Sequence, residues 1–291
     1  MINVPGVYNI SSEEYHADPC EVPSLSRSIM KDLIYRSAQH AWLHHPRLNP
    51  SIVPQENVEK FDIGQVAHAL LLEGSDCAAL IDGDDWRKKE AREARDKARQ
   101  NGKIPLLLDQ YERVIAMVQV AERAIFNCDE LQIGSLKLQG DSEQSYIWCE
   151  EDTWLRVRPD WISHDRKLII DYKTTAVSAN PNDLARYIIT MGYPLQAALY
   201  GRGVMAVEGT EPKFLFLVQE TIEPYPYSFV GLSPELMEMG KQQVEYGIFL
   251  WRECMRLNQW PGYPNRVCYI DAPPWALVAW ESRASEIGGI V

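Results

Sequence analysis

The sequence predicts an α/β (or α+β) protein with a central mixed sheet flanked by helices. Three observations predict it. Apolar residues recur at three- and four-residue steps ahead of residue 130 and again beyond residue 180, the period of amphipathic helices. Between them lie short runs rich in Tyr, Ile, Trp, Val and Leu, parted by turn-forming pairs, which read as strands. The order is helices, three strands, helix, strand pair, helix, which sets a sheet among helices.

The elements follow in order. Residues 1–22 read as an extended arm with turns around Pro5-Gly6 and Asp18-Pro19. A helix begins within Ser24-Leu-Ser-Arg-Ser-Ile-Met-Lys, with Ser24 or Ser26 as N-cap, and ends before Pro46. Pro50 to Pro54 is loop. A second helix runs from about Glu59 through Leu72, with Phe61, Val66 and Leu70 on its apolar stripe. Residues 84–101 form an exposed, charged helix closed by Asn101-Gly102. Residues 108–130 form a longer helix on which Tyr111, Ile115, Val118, Ala121 and Ile125 recur. Ser145 to Cys149, Thr153 to Ile162 and Lys167 to Lys173 are three consecutive strands of a meander. A helix at Asn182 to Val207, strands at Lys213 to Gln219 and Pro226 to Val230, and a helix at Pro234 to Asn258 complete the layout.

The chain has 291 residues, of which 46% are hydrophobic and 24% charged, enough to bury one large core and too apolar for wholesale disorder. Met1 to Tyr15 shows no charged-then-apolar leader, and runs such as Ala67 to Leu72 are too short to span a bilayer, so the expectation is a cytoplasmic protein without a membrane. Cys20, Cys77, Cys128, Cys149, Cys254 and Cys268 lie too far apart for zinc-finger or iron–sulfur spacing, and are expected to be reduced. The net charge of −12 argues against a surface coated in nucleic acid. Residues 84–103 nevertheless hold eight Lys/Arg against five Asp/Glu, either a focused anion site or a solvated helix with paired charges.

The chemistry concentrates in the strands. In Trp154-Leu-Arg-Val-Arg-Pro-Asp160, alternation puts Arg156, Arg158 and Asp160 on one face. In the next strand Asp171 and Lys173 are two apart and share a side. Two carboxylates and an ammonium in one small volume suit a hard, oxygen-liganded ion such as Mg²⁺, with Mn²⁺ as substitute, beside which a lysine can orient water. The same residues also fit a structural ion pair. Arg158 either grips a phosphate or partners nearby carboxylates. Glu143 is either a ligand to a second metal or a solvated strand residue. His40, His44 and His45 are expected to be ordinary helix-end histidines. Trp251, Trp260, Trp275 and Trp280 stack on bases or pack in a core.

Pro159-Asp160 followed by Asp171-Tyr-Lys173 resembles the signature of the PD-(D/E)XK nuclease superfamily. Gly64-Gln-Val-Ala-His68 is similar to the GxxxH helix motif of its RecB- and RecE-type branch, and Gln196-Ala-Ala-Leu-Tyr200 to its QxxxY motif. Together with the Ser24-Leu-Ser26 helix start, the set resembles the exonuclease VIII (RecE) C-terminal nuclease family of prophages and phages over roughly residues 8 to 260. The resemblance implies one nuclease domain over residues 1–291, with an N-terminal helical part (about 1–75), a charged helical insertion (about 84–130) and a C-terminal helix and tail (about 234–291). It implies His68, Asp160 and Asp171 on a metal, with Glu143 beside them, Lys173 positioning the attacking water, and Gln196 and Tyr200 against DNA. Arg158, Arg87, Lys88 and Arg92 are further candidates for DNA contact. The implied activity is Mg²⁺-dependent resection of linear duplex ends, 5′ to 3′, for a single-strand annealing partner, by a ring of three or four copies. An endonuclease or single-strand nuclease in phage–host conflict, and a non-catalytic DNA-end-binding protein, are the alternatives.

Overall fold

The computed structural model describes residues 1–51, 62–83 and 85–288 in two units, Met1–Trp260 and Pro261–Val291. The start of the second helix at Glu59 to Phe61, the loop residues up to Pro54 and the first residue of the charged stretch, Asp84, lie outside the described residues.

Pro159 divides what the sequence reads as a single strand from Thr153 to Ile162. Proline has no N–H to give to a ladder, and here the chain leaves one sheet for another. Strands β1 (Gly6–Tyr8), β2 (Leu25–Ser26), β6 (Ser145–Glu150) and β7 (Thr153–Val157) form a sheet of order β1-β6-β7-β2, with β2 parallel to β7. Strands β5 (Gly140–Ser142), β8 (Trp161–Ser163), β9 (Leu168–Thr175), β10 (Lys213–Glu220) and β11 (Tyr227–Gly231) form a mixed sheet of order β11-β10-β9-β8-β5. In it β9 and β10 are parallel and the remaining pairs antiparallel. The expected meander is therefore a hairpin in one sheet and a second hairpin in the other. A small parallel pair, β3 (Ala78–Ile81) and β4 (Ile104–Leu107), stands apart.

The strands β9 and β10 are buried on both faces. Ile169, Phe214, Phe216 and Val218 join a core with Met30, Trp148, Leu199 and Trp251, while Ile170, Tyr172, Leu215 and Leu217 join another with Leu71, Val114, Met117 and Trp161. This is the continuous apolar pattern of a covered parallel pair rather than in-out alternation.

Helices fill both sides. In the N-terminal part are α1 (Ser12–His16), α2 (Arg27–Tyr35), α3 (Ala38–His44) and α4 (Asp62–His68), the last continuing as a π-helical turn, Ala69–Glu73. Next come α5 (Lys89–Gln100), α6 (Leu108–Phe126) and α7 (Leu136–Gln139), then α8 (Pro181–Met191), α9 (Tyr193–Glu208) and α10 (Pro234–Leu257); the C-terminal unit holds α11 (Pro274–Gly288). Ser26 caps α2 by accepting from the Ile29 N–H, and Ser37 opens a separate α3, so one expected helix is two. The helix expected from Asn182 to Val207 likewise breaks at Gly192, whose φ of 71° ends α8 in the left-handed region that glycine takes without strain. The N-terminal arm is not simply extended, since it contributes β1 and α1. Trp251 is buried and meets Trp260 edge-on at 5.4 Å, whereas Trp275 and Trp280 are exposed on α11 in the C-terminal unit. Among the described residues no helix is long and apolar enough to cross a membrane.

A buried polar knot ties the arm to the first sheet. Asp18 accepts from the Ser24 N–H at 2.9 Å and the Ser24 hydroxyl at 2.6 Å, and stands 3.0 Å from Arg156 Nη1. Arg156 is thus spent here, away from the face it was expected to share with Asp160. His45, fully buried, accepts from the Arg47 and Leu48 N–H groups at Nδ1 and donates from Nε2 to the Ser24 carbonyl at 3.1 Å. That arrangement requires the neutral ring. His40 and His44 are helix-end residues bonded to Ser37 and Asp32.

Burial pushes the His45 pKa down to about 4, against the pull of Asp18. The unfolded imidazole takes up its proton near 6.5 and the folded one only near 4, so this contribution to stability is complete above 6.5 and is lost as pH falls toward 4. The urea midpoint should drop from pH 7 to pH 5, and His45→Gln should shallow that drop. An equal drop in the variant would show that His45 is not the group responsible.

Candidate active site

Gly64 and His68 lie one helical turn apart on α4. A Cβ at Gly64 would fall 2.6 Å from Thr174 Oγ1, so the glycine lets α4 lie directly on β9 and brings His68 to the end of that strand. His68 Nε2 stands 3.3 Å from Asp160 Oδ2 and 3.6 Å from Glu143 Oε1, and its Nδ1 stands 3.6 Å from Glu73 Oε1. Burial alone would lower the His68 pKa, but the Asp160, Glu73 and Glu143 carboxylates outweigh it and hold the ring protonated, with a pKa of about 10.

Asp160 occupies the bend between β7 and β8, at the crossing from sheet to sheet, rather than a strand face. Its Oδ2 accepts the Tyr172 N–H at 3.0 Å. Burial would raise it, but Lys173, His68 and that N–H bring it down to about 2. Glu143 precedes β6 with a φ of 56°, a conformation unusual for a residue with a Cβ, and its N–H donates to the Asp160 carbonyl at 3.2 Å. Its carboxylate is bound by Arg158 Nε, while Arg158 Nη1 donates to the Ile10 carbonyl at 2.8 Å and Ser145 Oγ at 3.0 Å. Burial and Asp160 raise the Glu143 pKa, with Arg158 and His68 opposing.

Asp171 and Lys173 share one side of β9 and form an ion pair. Asp171 is fully buried. Its Oδ2 accepts from Gln196 Nε2, while Oδ1 has no aligned hydrogen bond and faces the Lys173 ammonium. Burial and the negative Asp160 lift Asp171 to about 6, against Lys173. Burial would lower Lys173, but Asp171 and Asp160 raise it, so it carries its proton at neutral pH. Its Nζ lies 5.8 Å from the centre of the Tyr193 ring.

These groups line or adjoin a cleft of about 1570 Å³, above the roughly 300–1,000 Å³ of small-molecule pockets. One ligand atom each from His68, Glu143 and Asp160 fall within 4.8 Å of one another. Two carboxylates and an imidazole, with the Asp171 carboxylate nearby, are a donor set that fits a hard divalent cation. Asp171 lies outside the close trio, bound instead by Lys173 and Gln196.

The other expected site residues differ in their access to the cleft. Gln196 reaches the cleft, but its amide is committed to Asp171. Tyr200 is 8% exposed and packs edge-on to Phe214, so most of its ring belongs to the core. Arg87, Lys88 and Arg92, at the start of the charged helix, do not line the cleft; Arg87 pairs with Asp85 at 3.2 Å. Glu73 is a site residue that the sequence reading misses. Its five-residue offset from His68 matches neither helix nor strand spacing, and only the π-helical turn turns it back toward that ring.

Residues 26–273 match the family model of a PDDEXK-like domain of unknown function, DUF3799, and the chain belongs to that family. No curated protein matches it. Among solved structures it is similar to the crystal structure of a "putative exonuclease" from Eubacterium rectale, with a TM-score of 0.61 and 14% identity over 94% of this chain and 99% of that one. The family match gives the PD-(D/E)XK class, and the likeness to the solved structure agrees with the α/β fold.

The Gln196–Asp171 bond is testable alone. Gln196→Leu leaves a buried carboxylate oxygen without its donor, at a cost of about 1–3 kcal/mol, whereas Gln196→Glu adds a like charge and should cost more. Urea denaturation at pH 7 measures both; a variant as stable as wild type would show the bond to be dispensable.

Proposed function

We propose that this member of the PDDEXK-like family is a divalent-metal-dependent nuclease that hydrolyses DNA phosphodiesters. It digests linear duplex from its ends, 5′ to 3′, and leaves single strands for an annealing protein in recombination. The observation that supports it is the juxtaposition of His68, Glu143 and Lys173, which line one cleft, with Asp160 and the buried Asp171 directly behind them.

His68, Glu143 and Asp160, with Asp171 beside them, would hold Mg²⁺ or Mn²⁺, the imidazole giving up its extra proton to the metal; the ion when bound neutralises phosphate charge and makes water acidic. Lys173, protonated at neutral pH, serves as a hydrogen-bond donor that holds the attacking water or a phosphate oxygen. Gln196 fixes the Asp171 carboxylate, and with it the pair partner of Lys173. Arg158 holds Glu143 toward His68, and Glu73 does the same for the His68 ring from its far side. A cleft this wide suits a polymer strand better than a metabolite.

Lys173→Ala should lose at least tenfold in cleavage rate, equivalent to about 1.4 kcal/mol of barrier, with duplex binding nearly unchanged. Asp160→Asn and Asp171→Asn should lose metal binding and activity together. Linear duplex should be digested with Mg²⁺ and spared with excess EDTA, and covalently closed circles should survive. Cut circles would favour the endonuclease reading, and turnover in EDTA would overturn the metal assignment.

The proposal extends to assembly. A chain of net charge −12 must gather positive surface in one place to hold a polyanion, and a closed ring of three or four copies does so through one repeated interface. Light scattering should give a multiple of the 33.3 kDa chain mass, and the monomer mass would overturn the ring.

A further inference from the structure

Among the described residues, the Lys and Arg side chains lining the cleft are Arg27, Lys137, Arg158 and Lys173. Three of them face carboxylates: Lys137 meets Glu122 at 3.7 Å, Arg158 holds Glu143, and Lys173 holds Asp171. Arg27 is different. Its Nη2 donates to the Met191 carbonyl at 3.0 Å, and its Nε is buried with no acceptor among the described residues. No carboxylate there pairs with its charge.

The local fold explains how this cation is held. Arg27 is the first residue of α2, fixed by the Ser26 cap. Met191 ends α8 at the Gly192 break, and Tyr193, under Lys173, opens α9. The guanidinium therefore stands at the α8–α9 corner on the Lys173 side of the cleft, where its charge opposes in small part the upward shifts of Asp171 and Lys173. A buried N–H without an acceptor costs about 1–3 kcal/mol. A guanidinium that lines a cleft can donate from its nitrogens to two oxygens of one phosphate.

We propose that Arg27 is the phosphate grip of this cleft, taking the non-bridging oxygens of a substrate phosphodiester next to the one that is cut. The inference rests on the nuclease reading and names the residue that sets the strand's place along the cleft. Arg27 is a binding residue, so its loss falls on KM and on affinity rather than on the chemical step.

The test uses the full chain and a fluorescein-labelled linear duplex, with binding read by anisotropy in Ca²⁺ over a salt series and cleavage read in Mg²⁺. Arg27→Gln should weaken binding at least tenfold and reduce the slope of log affinity against log salt by about 0.9, the loss of one phosphate contact. KM should rise at least tenfold while kcat stays within about threefold of wild type. Arg27→Lys, which keeps the charge and a donor for the Met191 carbonyl but not the several donor nitrogens, should recover part of the affinity and serves should the glutamine variant not fold. Arg113→Gln, which removes an exposed charge paired with Asp109 on α6, controls for the change in net charge. If the folded Arg27 variants bind within twofold of wild type with an unchanged salt slope, Arg27 is only a tether for the Met191 carbonyl and the proposal is overturned. Wild-type protein that neither binds nor cuts duplex would overturn the nuclease reading itself, and this inference with it.

Discussion

Gathering Glu73, Glu143, Asp160 and Asp171 around one cleft is the constraint on which the site depends. Two like charges about 4 Å apart repel by roughly 4 kcal/mol at an effective dielectric near 20, a large part of a domain's whole stability. The fold answers with a partner for each. His68 stands among Glu73, Glu143 and Asp160, Arg158 binds Glu143, the Tyr172 N–H binds Asp160, and Lys173 and Gln196 bind Asp171. The partners come from four places: α4, the exit of β7, β9 and α9. Charge balance at the site therefore also fixes how the helices meet the sheets.

The crossing at Pro159 makes this possible. Because the chain cannot continue its ladder there, Asp160 is delivered to the seam between the sheets, where the Tyr172 N–H of β9 receives it. The two residues after Asp160 pair with Ile170 and Ile169, which sets the register that carries Asp171 and Lys173 to the same neighbourhood. A regular strand through Asp160 would alternate its side chains across one sheet and leave the carboxylate without this donor. The irregular residue is the functional one, as expected where backbone polar groups are left free for use.

Where the chemistry follows a short periodic rule, the sequence displays it. Asp171 and Lys173 are separated by the two-residue repeat of a strand, and Gly64 and His68 by one helical turn, so both pairs are legible from spacing alone. The helix boundaries at Asn101 and Asn258 were equally readable from their capping residues. What escaped depends on contacts remote in sequence. Arg156 looks like a neighbour of Asp160, yet Asp18 and Ser24 claim it from more than 130 positions away. Tyr200 lies one turn from Gln196, but Phe214 draws it into the core. Glu73 needs a π-helical turn, for which no periodic signal exists.

The cleft also resolves the tension between an acidic chain and a polyanionic substrate. Glu73, Asp141, Glu143, Asp160 and Asp171 are set against Arg27, Lys137, Arg158, Lys173 and the protonated His68, which leaves the cleft close to neutral while the chain carries −12. The excess negative charge therefore lies elsewhere, and beyond about 10 Å it is largely screened at ordinary salt. Attraction for a phosphate is then a matter of which cation in the cleft is unmatched, not of the sign of the whole surface. Glu143 and Asp171 hold Arg158 and Lys173, which leaves the guanidinium at the α8–α9 corner as the cleft cation with no carboxylate partner among the described residues.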